Sequence, residues 1–424
     1  MTHLFGRYSD SAKSPQQLEA WRQAEAHYAS GEHLQAWRAF FDYLRDPDVD
    51  NVQWEEVEDA LVFHIHQGSR TIDGRADANG VEARARLARM PHPSVAVMRK
   101  LLEVNYALNY SRFALSDDDV ISIRFEVPVG GGQPAKLYHA LREIALNADY
   151  YDDPLMEEFS ALEHIDGGRV VRYDAKELAT RHAFFTKWIH KGLESAHMFD
   201  PEKQAGAISW ILLALVNRIE YLLTPQGGTI PILRKISGIY FAQGDRSYPE
   251  RNAEMLSLFR DLATGADTRA PRDFYQVTST FSTTGQSTPE SVMTVINDAL
   301  SGYHHWKNLA DPTPALACLE YTAAQPLATT SVPFPVRNLM LLLLQVLHAD
   351  FFRSLETDQG LVDAESGTIN GEHVAERVAE ILAAAEGPLA NFQFRSERLA
   401  HGSPMEFATS FVLEMQEGVK AYLG

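Results

Sequence analysis

His64 and His66 are the first residues in the chain whose spacing could do chemistry. Two positions apart on an extended strand, both rings leave the same face about 6.7 Å apart. Such a pair can share a metal ion if a carboxylate or a third imidazole joins it. No third ligand stands at a recognised spacing, so the pair reads as sheet-face histidines. His304 and His305 are adjacent, and adjacent helical residues diverge by about 100°. They cannot converge on one ion without unwinding the helix. Asp117-Asp118-Asp119 lacks the spaced oxygens and closing Glu of a calcium loop, and reads as a tight turn between strands. Gly130-Gly131-Gly132 is not followed by Lys-Ser or Lys-Thr, so it is a connection rather than a phosphate cradle. Gly-x-Ser-x-Gly, His-Glu-x-x-His, Cys-x-x-Cys and the dinucleotide glycine signature do not occur. No catalytic residue, cofactor or metal ligand is assigned on these grounds, and the expectation is a protein that is not an enzyme.

Composition narrows the classes further. The chain has 424 residues, 45% of them hydrophobic and 22% charged, which is globular and long enough for more than one core. Fifty-seven acidic residues against 38 basic ones give a net charge of -19. Such a surface repels phosphate backbones, so no nucleic-acid partner is expected. Cys318 is the single cysteine, which excludes an internal disulfide and fits a cytoplasmic chain. It sits in the apolar run Ala-Leu-Ala-Cys-Leu-Glu, as a buried inert thiol would. The most apolar run, Leu339 to Leu347, makes about 13 Å of helix where a bilayer core needs about 30 Å. Asn217, Arg218 and Glu220 interrupt the longer stretch from Ala207 to Leu223, so no membrane association is expected.

The elements that would carry these residues follow from periodicity. Gln16 to Tyr28 and Leu34 to Arg45 read as a helical hairpin turned at Ser30-Gly31. Leu61 to Gln67, Arg70 to Ala76 and Val81 to Leu87 alternate as strands, with Asn79-Gly80 as a hairpin signal. Ser94 caps a helix from about Val95 to Leu108. Two more strands, Ser111 to Leu115 and Val120 to Val127, precede a helix from about Ala135 to Tyr151. From Asp174 the pattern is helical: 175 to 197, 203 to 223, 229 to 241, 249 to 263, 289 to 307, 313 to 324, 336 to 355, 371 to 385 and 404 to 423. Gly265 to Pro289 reads as a loop or internal boundary. The expected organisation is a helical hairpin over 1–52, an α+β domain over 53–165 with an antiparallel sheet of about five strands, and an all-α domain over 166–424.

The segment from Leu61 to Leu162 resembles the type III secretion chaperone-like fold, and more narrowly a bacterial sensory-transduction-regulator family that shares it. The likeness is carried by Met98-Arg99-Lys100-Leu101-Leu102-Glu103-Val104-Asn105, Tyr110-Ser111-Arg112-Phe113-Ala114-Leu115, the strand Val120 to Pro128 and the helix ending Ala148-Asp149-Tyr150-Tyr151. The resemblance covers about a quarter of the chain. It implies a non-enzymatic protein that binds a polypeptide partner or client, often as a homodimer. A client segment could pair with a strand edge or lie across the sheet. On that view Phe63, Ile65, Ile72, Ile121, Ile123 and Phe125 are candidate partner contacts, with a place in the core as their alternative. A different class, a metal-dependent or carboxylate-based enzyme with a site between the two halves, would require a cleft lined by His64, His66 and acids.

Overall fold

In the computed structural model, residues 5–6, 13–46, 49–116, 118–165, 170–282, 285, 287–385 and 387–423 are described. The chain divides into two compact units. One comprises 7–171 with 276–283, and the other comprises 1–6, 172–275 and 284–424.

The first unit is an antiparallel sheet with helices. Helices α1 (Pro15–Ala29) and α2 (His33–Leu44) come first. Strands β1 (Val52–Val57), β2 (Ala60–Gly68), β3 (Arg70–Asp77) and β4 (Gly80–Arg89) follow. Then come α3 (Val95–Ala107), β5 (Arg112–Leu115), β6 (Val120–Pro128) and α4 (Pro134–Glu158). The strand order is β1-β2-β3-β4-β6-β5, and the two-residue strands Glu163–His164 and Thr278–Ser279 add to β4 and β2, making eight strands. The count exceeds the expected five. Val52–Val57 carries Glu55 and Glu56 among its apolar positions, which weakens its alternation, and two-residue strands leave no period to read.

Alternation sends Leu61, Phe63, Ile65, Ile72, Ala76, Val81, Ala83, Ala85, Ile121, Ile123 and Phe125 to one buried face. Leu137, Leu141, Ile144 and Ala148 of α4 and Phe40 and Phe41 of α2 share that core. Phe41 meets Phe63 with ring centroids 4.5 Å apart. Gly74 makes room for that ring, since a Cβ there would lie 2.1 Å from Phe63 Cζ. The hairpin α1-α2 is not a separate unit as expected. The Tyr28 hydroxyl donates to the Val129 carbonyl (2.6 Å), the Trp37 indole donates to the Asp77 carbonyl (3.2 Å), and both helices share the sheet's core.

Residues 276–283 also belong with the sheet rather than with the helices on either side of them in sequence. Thr278 and Ser279 pair with Gly68 and Gln67, past the point where β1 stops pairing with β2. The Gln67 amide accepts from the Phe281 N–H (2.9 Å) and donates to the Phe281 carbonyl (3.2 Å). The Phe281 ring is fully buried, edge-on to Tyr138.

The second unit is helical: α5 (Ala175–His197), α6 (Ala205–Arg218), α7 (Thr229–Phe241), α8 (Tyr248–Thr264), α9 (Ala266–Asp273), α10 (Pro289–Trp306), α11 (Thr313–Thr329), α12 (Val336–Leu347), α13 (Ala349–Ser354), α14 (Gly371–Ala383) and α15 (Pro404–Leu423). Helices α6 and α11 are buried along most of their length and form its centre. Two features depart from expectation. Helix α9 lies inside the expected loop 265–289, and the expected helix 336–355 breaks at His348, whose ring is turned toward Glu320. The window Ala205–Leu223 is long and apolar enough to cross a membrane by length and composition, and 78% of it is buried inside the protein.

Candidate functional site

The six candidate contacts are not surface residues. Phe63, Ile65, Ile72, Ile121 and Ile123 are fully buried and Phe125 is 3% exposed, so none can meet a partner without opening the core. Contrary to their reading as partner contacts, all six belong to the core of the sheet unit. His64 and His66 do project from the other face, but each has its own partner. His64 Nδ1 lies 2.7 Å from Asp73 Oδ1, and His66 Nδ1 lies 3.0 Å from Thr71 Oγ1. Among the described residues no group of three His, Cys, Asp or Glu side chains could hold a metal ion. Asp118 and Asp119 form the turn between β5 and β6, Asp119 with φ +60°, and Asp117 lies outside the described residues. Burial pushes the Cys318 thiol far up, which leaves it inert.

A different surface emerges from α3. Val97, Leu101 and Val104 face the core. Val95, Met98, Leu102 and Tyr106, at steps of three, four and four, lie on the opposite side. Val95 is 79%, Leu102 66% and Tyr106 95% exposed. Leu115 at the free edge strand β5 and Tyr110 just before it are also exposed. Large apolar side chains exposed along one helix face are the kind of surface that marks interaction sites. The sequence holds this signal, since apolar residues occupy two faces of one helix. Spacing alone does not say which face is inward.

Polar side chains hold this surface in place. The Ser94 hydroxyl caps α3 by accepting from Val97 N–H. Asn105, near its end, donates to the Phe113 carbonyl (3.1 Å) and accepts from Phe113 N–H (2.6 Å), tying the helix end to β5. Glu143 of α4 accepts from the backbone N–H groups of Asn109, Tyr110 and Ser111, each at 2.8 Å, and from the Ser111 hydroxyl. Burial works against the charge on Glu143, but these four donors outweigh it and hold the carboxyl below its ordinary range.

The helical unit contains a buried ionic cluster that periodicity does not reveal. Arg218 Nε and Nη2 donate to the two carboxylate oxygens of Glu320, each at 2.6 Å, in a bidentate fork. His348 Nε2 lies 3.0 Å from Glu320 Oε1. The Trp188 ring lies under the Arg218 guanidinium at 5.3 Å and beside His348 at 5.4 Å. Burial opposes ionisation of Glu320, yet Arg218, His348 and their hydrogen bonds bring its pKa down to about 2. Burial lowers that of His348 in spite of Glu320. Arg218 is also where α6 gives way to a π-helical turn, Ile219–Leu223, ended by Thr224 in the left-handed region. The buried Arg181 donates to the freed carbonyls of Leu222 (3.1 Å) and Leu223 (3.0 Å). Both carboxylate oxygens of Glu320 are engaged, so the cluster braces α6, α11 and the α12-α13 break.

No family model and no curated protein sequence matches the chain.

Proposed function

We propose that this protein is a non-enzymatic, cytoplasmic binding protein of chaperone-like or regulatory type, which holds a polypeptide partner on the outer face of α3. The exposed stripe Val95, Met98, Leu102 and Tyr106 carries the reading. Steps of three and four residues are those on which an amphipathic partner helix packs its own apolar face. The capped, pinned ends of α3 support it, because a surface that is already ordered loses little entropy when it binds. The order α3, β5, β6 and the long α4 is the helix, strand pair and closing helix of the type III secretion chaperone-like resemblance, which belongs to this proposal, although four strands rather than three precede it.

The test is photocrosslinking in cells from a reactive residue placed at 102 or 106, with one at the exposed Leu413 of α15 as control. The expected result is one polypeptide of defined mass crosslinked from 102 and 106, absent from 413 and lost on Val95→Asp. A product at the mass of two chains identifies the partner as a second copy. Absence of a crosslink, or the same products from 413, refutes the proposal.

A further inference from the structure

The face of the sheet opposite the core brings together arginines that are far apart in sequence. Arg84 of β4 pairs in register with Arg124 of β6, which pairs in register with Arg112 of β5. Like charges directly opposite on neighbouring strands repel and destabilise the pairing. In a chain of net charge -19, three arginines in line call for a physical reason. Arg112 has one, an ion pair with Glu126. Arg84 and Arg124 have no acidic partner within ion-pair distance among the described residues. The acids nearby do not neutralise them: Asp73, in register opposite Arg84, is bonded to His64, Glu126 pairs with Arg112, and Glu82 stands opposite Arg75, which itself pairs with Asp77. Arg84 and Arg124 border a hollow of about 260 Å³, whose wall also includes Val62, Asp73, Arg75 and Glu82.

We propose that Arg84 and Arg124 form a binding site for a phosphate monoester group carried by a small molecule. The charge selects the class. Two guanidiniums match the charge of about -2 and the three free oxygens of a phosphate monoester, whereas one guanidinium fork already satisfies a carboxylate. The modest volume suits a small molecule. The acids on the wall argue against a polyanion, as does the overall charge of the chain. This site is separate from the α3 surface and stands or falls independently of it.

The test is calorimetric titration of the full chain at low ionic strength with inorganic phosphate and with O-phosphoserine. Both should bind, and Arg84→Gln and Arg124→Gln should each weaken binding at least tenfold. Arg112→Gln, which removes an arginine already paired, should change it less than threefold. Tighter binding of O-phosphoserine assigns the site to an organic phosphate, and equal binding assigns it to the free ion. Without phosphate, Arg124→Gln should not melt below the wild type, because Arg124 has an arginine in register on either side. Failure of the wild type to bind either anion, binding that survives both Gln substitutions, or a lower melting temperature of Arg124→Gln in phosphate-free buffer overturns the proposal.

Discussion

Replacing Glu320 with Gln keeps the side-chain shape and removes the charge on which Arg218 and His348 converge. Removing one partner of a buried ion pair costs about 3–5 kcal/mol, because the other charge stays buried and unpaired. The side chains of Glu320 and Arg218 are 4% and 16% exposed, so Arg218 keeps some contact with water. The Trp188 ring beneath it also remains. The expected cost is therefore at the lower end, about 3 kcal/mol. With a urea slope of about 3 kcal/mol/M for a unit of this size, the midpoint falls by about 1 M. The assay is urea unfolding followed by circular dichroism and tryptophan fluorescence, fitted with separate transitions for the two units. Replacing the pair together, Arg218→Met with Glu320→Leu, should recover most of the loss. A midpoint shift below about 0.3 M for Glu320→Gln, or a double variant no better than the single, refutes this account. Acid provides an independent check. The folded Glu320 pKa of about 2 lies below the ordinary 4.5, so its contribution is complete above 4.5 and is lost as pH falls toward 2. His348 also titrates lower in the fold than its ordinary 6.5, so it too costs stability as pH falls below 6.5. Glu320→Gln should flatten the decline below pH 4.5.

Three further outcomes can be measured directly. Asn105→Ala removes both side-chain bonds to Phe113 and should cost about 1–2 kcal/mol, with faster amide exchange in β5. Phe281→Ala should destabilise the sheet unit by about 3–5 kcal/mol and expose the Gln67 and Gly68 amides to exchange, while leaving exchange in α6 and α11 unchanged. His64→Ala, half exposed and paired with an equally exposed Asp73, should change the unfolding free energy by less than about 0.5 kcal/mol. His66→Ala should cost more, because that ring is 7% exposed and bonded to Thr71.

The sequence reveals elements wherever one face is apolar and the other is wet. Val81 to Leu87 alternates without a break, and it forms β4 with Ala83 and Ala85 inward and Glu82 and Arg84 outward. The helices from Ala175 onward are legible for the same reason, with caps such as Asp174 and Ser247 marking their starts. What periodicity cannot supply is contact between distant residues. Glu320 and His348 lie on apolar helical runs where a charge looks out of place, and only packing brings Arg218 to them. Arg84, Arg112 and Arg124 become neighbours only through strand register. The candidate contacts are less legible than the fold, because the most regular apolar positions, Phe63 to Phe125, are those a core takes first, and the exposed apolar stripe is the weaker second face of α3.

The return of residues 276–283 to the sheet has a consequence for synthesis. The strands of β1 to β6 and the helix α4 leave the ribosome well before Thr278 and Phe281 do. At 5–20 residues per second, the roughly 110 residues between Val171 and the end of that segment take of the order of 5–20 s to make. Throughout that interval the edge of β2 at Gln67 and Gly68 that Thr278 and Ser279 take up lacks its partner, and the place of the Phe281 ring beside Tyr138 is empty. A gene truncated after Val171 would fix the protein in that unfinished state, so a soluble fragment of the sheet unit needs the 276–283 segment supplied as a fusion or as a separate peptide.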